Sequence, residues 1–193
     1  MKSFVLALFV LIFSVTPENG AVVEEEVCLS KEELKLYNLI MDYRKKNKLE
    51  VIPISPKLTK VAQVHARDLA DHYSFDPNNK CNPHSWSKKG KWTGCCYTSD
   101  HKEAECMWNK PKEIAAYESP GYEIAYYSSA GATAHEGLEG WKKSPSHNPL
   151  IINEGMWSKV NWKAVGIGFY EEYGIVWFGE AEDSSPLQVC VTP

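Results

Sequence analysis

Val165-Gly166-Ile167-Gly168-Phe169-Tyr170-Glu171-Glu172-Tyr173-Gly174-Ile175-Val176-Trp177-Phe178-Gly179 carries the reading of the fold. Val165, Ile167 and Phe169 alternate with small residues, and Ile175, Trp177 and Gly179 do the same on the second limb. A period of two is the mark of a strand with one buried face. Glu171-Glu172-Tyr173-Gly174 supplies the polar residues and glycine of a turn, so 161–170 and 173–181 are predicted to form an antiparallel hairpin.

Upstream of the hairpin the period changes to that of helices. Ser30-x-x-Glu33 is a capping box, and Leu34, Tyr37, Ile40/Met41 and Tyr43/Arg44 follow at helical spacing, which predicts a helix over 31–47. Ser55-Pro56 starts a second helix, with Leu58, Val61, Ala62, His65 and Leu69 on its apolar stripe to about residue 72. Thr133-x-x-Glu136 starts a third, which runs to Lys143 and stops at Ser144-Pro145. Between them, residues 74–112 lose all hydrophobic periodicity and read as one long loop region. Helices before and around a hairpin favour an α+β fold, a three-layer α-β-α sandwich, over a bundle or barrel. Leu36, Leu39, Leu58, Val61, Leu69, Val165, Ile167 and Val176 are expected in its core.

The N-terminus sets the compartment. Lys2 precedes the apolar run Phe4 to Val15, and Thr16-Pro17-Glu18-Asn19-Gly20-Ala21 follows, the layout of a signal peptide cleaved near Ala21. The run is shorter than the ~20 residues that cross a bilayer, so 1–21 is expected to be removed and 22–193 to be one domain with no stable membrane insertion. Secretion is expected, into the medium or into the periplasm of a Gram-negative source. All six cysteines, Cys28, Cys81, Cys95, Cys96, Cys106 and Cys190, lie beyond this segment, and an even count in a secreted chain implies disulfides. Cys81, Cys95, Cys96 and Cys106 crowd together and are expected to make two local bridges; Cys28 and Cys190 would then staple the ends. Lys+Arg of 21 against Asp+Glu of 25 leaves a net charge of -4, and no Lys/Arg block exceeds three residues, which excludes the electrostatic footprint of a nucleic-acid binder.

Three polar groups stand where such groups need a reason. His84 lies in Asn82-Pro83-His84-Ser85-Trp86, Glu123 in Gly121-Tyr122-Glu123-Ile124 at a turn entering an apolar run, and His147 in Ser144-Pro145-Ser146-His147 after the third helix. Neutral imidazole and carboxylate are the usual ligands of a divalent transition metal, and the same groups could serve acid–base work. Spacing alone does not bring them together, and separate loop histidines bonded to backbone explain the pattern as well. His65, on the apolar stripe of the second helix, reads as a satisfied core histidine. His135-Glu136 begins like a zincin helix but lacks the second histidine four residues on. No Gly-x-Ser-x-Gly elbow exists for a serine hydrolase.

His84-Ser85-Trp86, Gly121-Tyr122-Glu123-Ile124, Trp141-x-x-Ser144-Pro145-Ser146-His147 and Met156-Trp157-Ser158-x-x-x-Trp162-x-x-Val165-Gly166-Ile167-Gly168 occur in this order. In that order they resemble the CAP superfamily, the cysteine-rich secretory, antigen and pathogenesis-related proteins with the SCP domain. The resemblance covers about residues 32–181. The Ser-Pro-Ser-His and Cys95-Cys96-Tyr97-Thr98 versions are similar to the bacterial-style branch more than to the animal venom type. The resemblance implies an α-β-α sandwich with a cleft holding two histidines and two glutamates. His84 matches the first histidine, Glu123 the first glutamate and His147 the second histidine. The second glutamate belongs three residues after Trp141, where this chain has Ser144. Glu136 or Glu139 could substitute at a different spacing. His84, His147 and Glu123 could still hold a divalent metal such as zinc, with water completing the shell. Ser144, Trp86 and Tyr122 are expected in the same cleft. The first expectation is therefore a secreted binding module for a metal and for a lipid, sterol, glycan or extracellular protein, with no catalytic residue assigned. A structural domain with a vestigial site ranks second. A metal-dependent, peptidase-like hydrolase ranks third, because the missing carboxylate weakens hydrolysis more than binding.

Overall fold

The computed structural model describes residues 27–185 and 190–192. The expected signal peptide, 1–21, lies outside them. The chain runs β1 (Cys28–Ser30), α1 (Lys31–Lys46), α2 (Pro56–His72), α3 (Ala104–Trp108), α4 (Lys110–Ala115), β2 (Gly121–Tyr127), α5 (Ala134–Lys143), α6 (Asn148–Ile151), a 3-10 turn (Gly155–Trp157), β3 (Ala164–Tyr170), β4 (Tyr173–Gly179) and β5 (Cys190–Thr192).

The hairpin forms, and β4 is its central strand. A three-stranded antiparallel sheet runs β2-β4-β3, with Ile167 and Ile124 on either side of Val176. That register corrects the expected facing. Val165, Ile167, Val176 and Phe178 share one face with Ile124, whereas Ile175 and Trp177 point to the other, opposite Gly168 and Gly166. The first face packs on Leu36, Ile40, Leu138, Trp141 and Ile151 of α1, α5 and α6. The second packs on Leu58, Val61, Ala62, Ala66 and Leu69 of α2. The sheet is the middle layer of an α-β-α sandwich. β1 and β5 make a separate parallel pair.

Glycine decides how α2 sits. A Cβ at Gly166 would lie 2.0 Å from the carbonyl carbon of Leu58, and one at Gly168 2.3 Å from that of Ala62. The helix backbone therefore rests directly on β3, in the space that side chains would fill. The predicted caps form as well. Ser30 Oγ accepts from Glu33 N at 3.1 Å while Glu33 Oε2 accepts from Ser30 N at 2.6 Å. Ser55 Oγ accepts from Leu58 N at 3.0 Å, with Pro56 at the first helical position. Glu33 is buried, and its Oε1 also accepts from Phe169 N at 3.0 Å, tying the capping box to β3.

Two expectations change here. Residues 74–112 are not wholly irregular, since α3 and the start of α4 fall within them. Leu39 is half-buried, packed against the core rather than in it, because the α1 stripe turns inward at Leu36, Ile40 and Met41. The other seven expected core aliphatics are buried. The two local bridges are Cys81–Cys96 and Cys95–Cys106. Cys28 is also disulfide-bonded, and its Cα lies opposite that of Cys190 in the β1–β5 ladder; the side chain of Cys190 lies outside the described residues.

Candidate functional site

Glu123 is the hub. It sits in β2, directly across from Trp177 of β4 and on the face turned to α2, and its side chain is fully buried. A carboxylate there needs hydrogen-bond donors on both oxygens, because an unpaired buried charge is very costly. Oε1 accepts from Nδ1 of His84 at 2.7 Å, and Oε2 is bonded to Nδ1 of His65. Burial alone pushes the Glu123 carboxyl up, but the two imidazoles outweigh it and hold the group below the usual carboxylate range.

His65 comes from the α2 stripe, where its ring is fully buried and stacks on Trp86 at 3.9 Å, nearly parallel. Its Nε2 donates to the carbonyl of Ser85 at 3.0 Å. Its other ring nitrogen, Nδ1, meets Oε2 of Glu123, so both nitrogens have polar partners. His65 is satisfied, as expected of a core histidine, yet it belongs to the site: it is the second arm holding Glu123. Sequence reasoning missed that role. The available signal was a histidine on an otherwise aliphatic stripe, which must find polar partners once buried.

His84 is the arm that faces outward. With Nδ1–H committed to Glu123, the neutral ring carries its lone pair on Nε2, and that atom has no protein partner among the described residues. The loop is fixed by its own bonds. His84 N donates to Asn82 Oδ1 at 3.0 Å, and Ser85 Oγ accepts from Tyr97 N at 2.8 Å. Tyr97 meets the His84 ring edge-on at 5.3 Å and reaches His101 Nδ1 through its hydroxyl at 2.8 Å.

His147 is the N-cap residue of α6, half-buried, and burial followed by the nearby His84 lowers its pKa to about 4. The structure thus brings His84, Glu123 and His65 into direct contact, with His147 close enough to His84 for their charges to interact. It does not bring Glu123 out as a free ligand, because both its oxygens are taken by imidazoles. Among the described residues, no group of three or more His, Cys, Asp and Glu side chains is placed to hold a metal ion. Ser144 caps the end of α5, bonding Ser146 Oγ at 3.0 Å and accepting from the His147 backbone N–H at 3.4 Å. Neither proposed substitute for the missing glutamate serves: Glu136 bonds Thr133 at 2.9 Å, and Glu139 pairs with Lys142 at 2.6 Å. Trp86 is buried beneath His65 and supports the site from behind. Tyr122 points to the opposite face of β2, into a chain of rings with Trp108, Trp157 and Trp162 at 5.0–6.1 Å.

Comparison with known proteins agrees with this architecture. A search of curated proteins returns no match. Among solved structures, the chain is similar to an extracellular SCP-domain protein from Bacillus anthracis (16% identity, TM-score 0.55, 78% of this chain and 40% of that one). It is also similar to an outer surface protein from Borrelia burgdorferi (22% identity, TM-score 0.51, 79% and 95%). A cysteine-rich secretory protein from Staphylococcus aureus is a third (15% identity, TM-score 0.50, 78% and 38%). The chain spans about two fifths of the length of the Bacillus and Staphylococcus structures. Residues 37–174 match the profile of CAP, the cysteine-rich secretory protein family. That span contains β2, β3, α2 and every residue of the Glu123 cluster, so the chain belongs to the CAP family.

Proposed function

We propose that this CAP-domain chain is a secreted binding module whose cleft takes a divalent metal through His84 Nε2 and His147. One observation carries the reading: the Glu123–His84 hydrogen bond occupies Nδ1 of His84, and Nε2 has no protein partner among the described residues. A carboxylate orienting a ligating histidine through its other ring nitrogen is the common second layer of metal sites. Glu123 and His65 then orient, while two imidazoles donate and water or a ligand atom completes the shell. His147 suits the role, since a pKa near 4 leaves it neutral at physiological pH.

Binding is favoured over metal-dependent hydrolysis because Ser144 stands where the family resemblance places a second carboxylate, and both oxygens of Glu123 are engaged by imidazoles. Ser85 Oγ is buried and engaged with the Tyr97 backbone, and Ser144 Oγ contacts Ser146 and the His147 backbone. The rings of Trp108, Tyr122 and Trp157, with Trp108 partly exposed and Met156 84% exposed, suit an apolar or ring-bearing ligand of the lipid or sterol class. Secretion is supported by the Phe4–Val15 run followed by Ala21 and by the disulfides. Among the described residues no helix is long and apolar enough to cross a membrane.

Calorimetric titration of zinc into the metal-free mature protein tests the proposal. One site is expected, weakened more than tenfold in His84→Ala and in His147→Ala and unchanged in His101→Ala. Ser144→Glu should tighten it by returning a carboxylate. Absence of zinc binding, or equal binding by all variants, overturns the metal reading.

A further inference from the structure

The cross-linked segment between α2 and α3 holds a small hairpin that the Glu123 cluster does not use. Trp86 and Cys95 pair through reciprocal backbone hydrogen bonds of 2.9 and 3.0 Å, and Ser87-Lys88-Lys89-Gly90-Lys91-Trp92-Thr93-Gly94 closes between them. The hairpin is fixed from several sides. The buried carboxylate of Asp68 accepts from Ser87 N at 2.8 Å and from Ser87 Oγ at 2.5 Å. The Trp92 indole folds over Gly90 and donates to Ser87 O at 3.0 Å. Cys95 is bridged to Cys106, and the neighbouring Cys96 to Cys81.

Three lysines project from this rigid tip. Lys88, Lys89 and Lys91 are exposed, and none has an ion-pair or hydrogen-bond partner for its ammonium group among the described residues. Lys35, Lys45 and Lys102 are matched with Glu32, Asp42 and Asp100. Lys46, Lys48, Lys80, Lys143 and Lys159 also lack an ion pair among the described residues, but only the tip sets three such lysines on one cross-linked hairpin. Beside the tip lies a cleft of about 540 Å³, lined by Lys89, Gly90 and Trp92 on one wall and by Arg67, Phe169 and Tyr170 on the other. Arg67 is exposed, its guanidinium 4.3 Å above the Tyr170 ring and without a carboxylate partner among the described residues. The cleft does contain acids. Glu33 and Asp68 are buried with their oxygens committed to donors, which leaves Asp71 as the exposed carboxylate of the lining among the described residues.

We propose that the 86–95 hairpin and this cleft form a binding site for an anionic polysaccharide. Lys88, Lys89, Lys91 and Arg67 meet its sulfate or carboxylate groups, and a sugar ring enters the cleft against Trp92 and Tyr170. The charge pattern asks for a polyanion, because Lys88, Lys89, Lys91 and Arg67, none with a carboxylate partner among the described residues, set a local field at one edge of a chain of net charge -4. The aromatic walls ask for a ring-bearing, hydroxylated ligand instead of a bare anion. A membrane surface is the weaker match. The exposed large hydrophobics, Val51, Phe75, Trp108 and Met156, all lie off the hairpin, so no apolar wedge accompanies its lysines into a bilayer. This site is separate from the cleft of His84 and His147 and stands or falls independently of it.

The test uses the mature protein on immobilised dextran sulfate and on polygalacturonate, with neutral dextran, anionic phosphatidylserine vesicles and a DNA duplex as comparators. Wild-type protein should bind the two acidic polysaccharides and not neutral dextran. Lys88→Gln/Lys89→Gln/Lys91→Gln should lower affinity at least tenfold and reduce the slope of log affinity against log salt by about one for each lysine–anion pair removed. Lys35→Gln/Lys45→Gln/Lys102→Gln removes the same charge elsewhere and should change affinity less than twofold. Tyr170→Ala should weaken binding severalfold and leave the salt slope unchanged. The proposal is overturned if the hairpin variant binds like wild type, if the control triple variant loses as much, or if vesicles or DNA bind more tightly than either polysaccharide.

Discussion

At the level of single residues, Glu123 shows why a buried carboxylate is kept. Its two oxygens fix two imidazoles at once, and removing one partner of a buried ionic pair typically costs ~3–5 kcal/mol. Glu123→Ala should show a loss of that order in urea unfolding. Glu123→Gln should lose far less, because the amide oxygen can accept from His84 while the amide nitrogen donates to a neutral His65. Equal losses in the two variants would mean that charge, and not hydrogen-bond count, holds the cluster. His147 supplies a pH test. The unfolded chain takes up its proton near pH ~6.5, whereas the folded protein does so near 4. Between those values the unfolded state binds more protons, so stability is complete above the upper value and falls as pH drops toward the lower. The ceiling on this loss is roughly 3 kcal/mol, and solvent screening of the half-buried ring reduces it. His147→Asn should therefore flatten the fall in urea midpoint between pH 7 and pH 4.5. A variant that falls as steeply as wild type would show that other groups drive acid unfolding. His84, Glu123 and His147 stood out in the sequence as polar residues in turns and apolar runs, but only the family resemblance assigned them to one cleft. Their order of contact was not. A carboxylate aimed at two histidines from different elements is a fact of three-dimensional register, which no spacing records.

Among the elements, the helices were the easiest to read, since Ser30-x-x-Glu33, Ser55-Pro56 and Thr133-x-x-Glu136 announce their starts chemically and all three caps form. β2 was harder. Tyr122, Glu123, Tyr126 and Tyr127 place polar and amphipathic side chains on both faces of an edge strand, so the alternation that marks β3 is blurred. β4 is buried along its whole length, and the period of two vanishes there as well. The glycines of β3 then carry information that alternation alone misassigns: they are not spacers between core residues but the seat of α2. Gly166→Ala would put a methyl group 2.0 Å from the Leu58 carbonyl carbon, and a backbone atom in a helix cannot swing aside as a side-chain tip can. Overpacking of this kind costs ~1–3 kcal/mol or more. The expected result is a lower thermal midpoint with loss of Glu123–His65 registry, because α2 carries His65. Wild-type stability in Gly166→Ala would show that α2 is not seated on β3 as described.

For the molecule as a whole, the two cores have different supports. The face built from α1, α5 and α6 packs aliphatic and Trp side chains against the sheet without a cross-link between them. The α2 face is closed by the 74–116 region, where Trp86, Tyr97, Ala104 and Met107 are buried and two disulfides join neighbouring turns. Buried Lys110 completes this lid, bonding Thr93 O and Glu113 and lying 5.6 Å from the Trp86 ring. The bridges act here by limiting the unfolded chain, and closure of a loop of 15 residues is worth ~3 kcal/mol. Cys81→Ala/Cys96→Ala should therefore destabilise the protein by about that amount. The damage should also be uneven. Hydrogen exchange should quicken across 81–110 while amides of β3 and β4 keep their protection, because those strands draw on the other core as well. On the proposed metal reading, zinc affinity should fall with it, since His84 rides on the loosened segment while His147 does not. Uniform acceleration over the whole chain would instead mean that the two cores unfold as one unit.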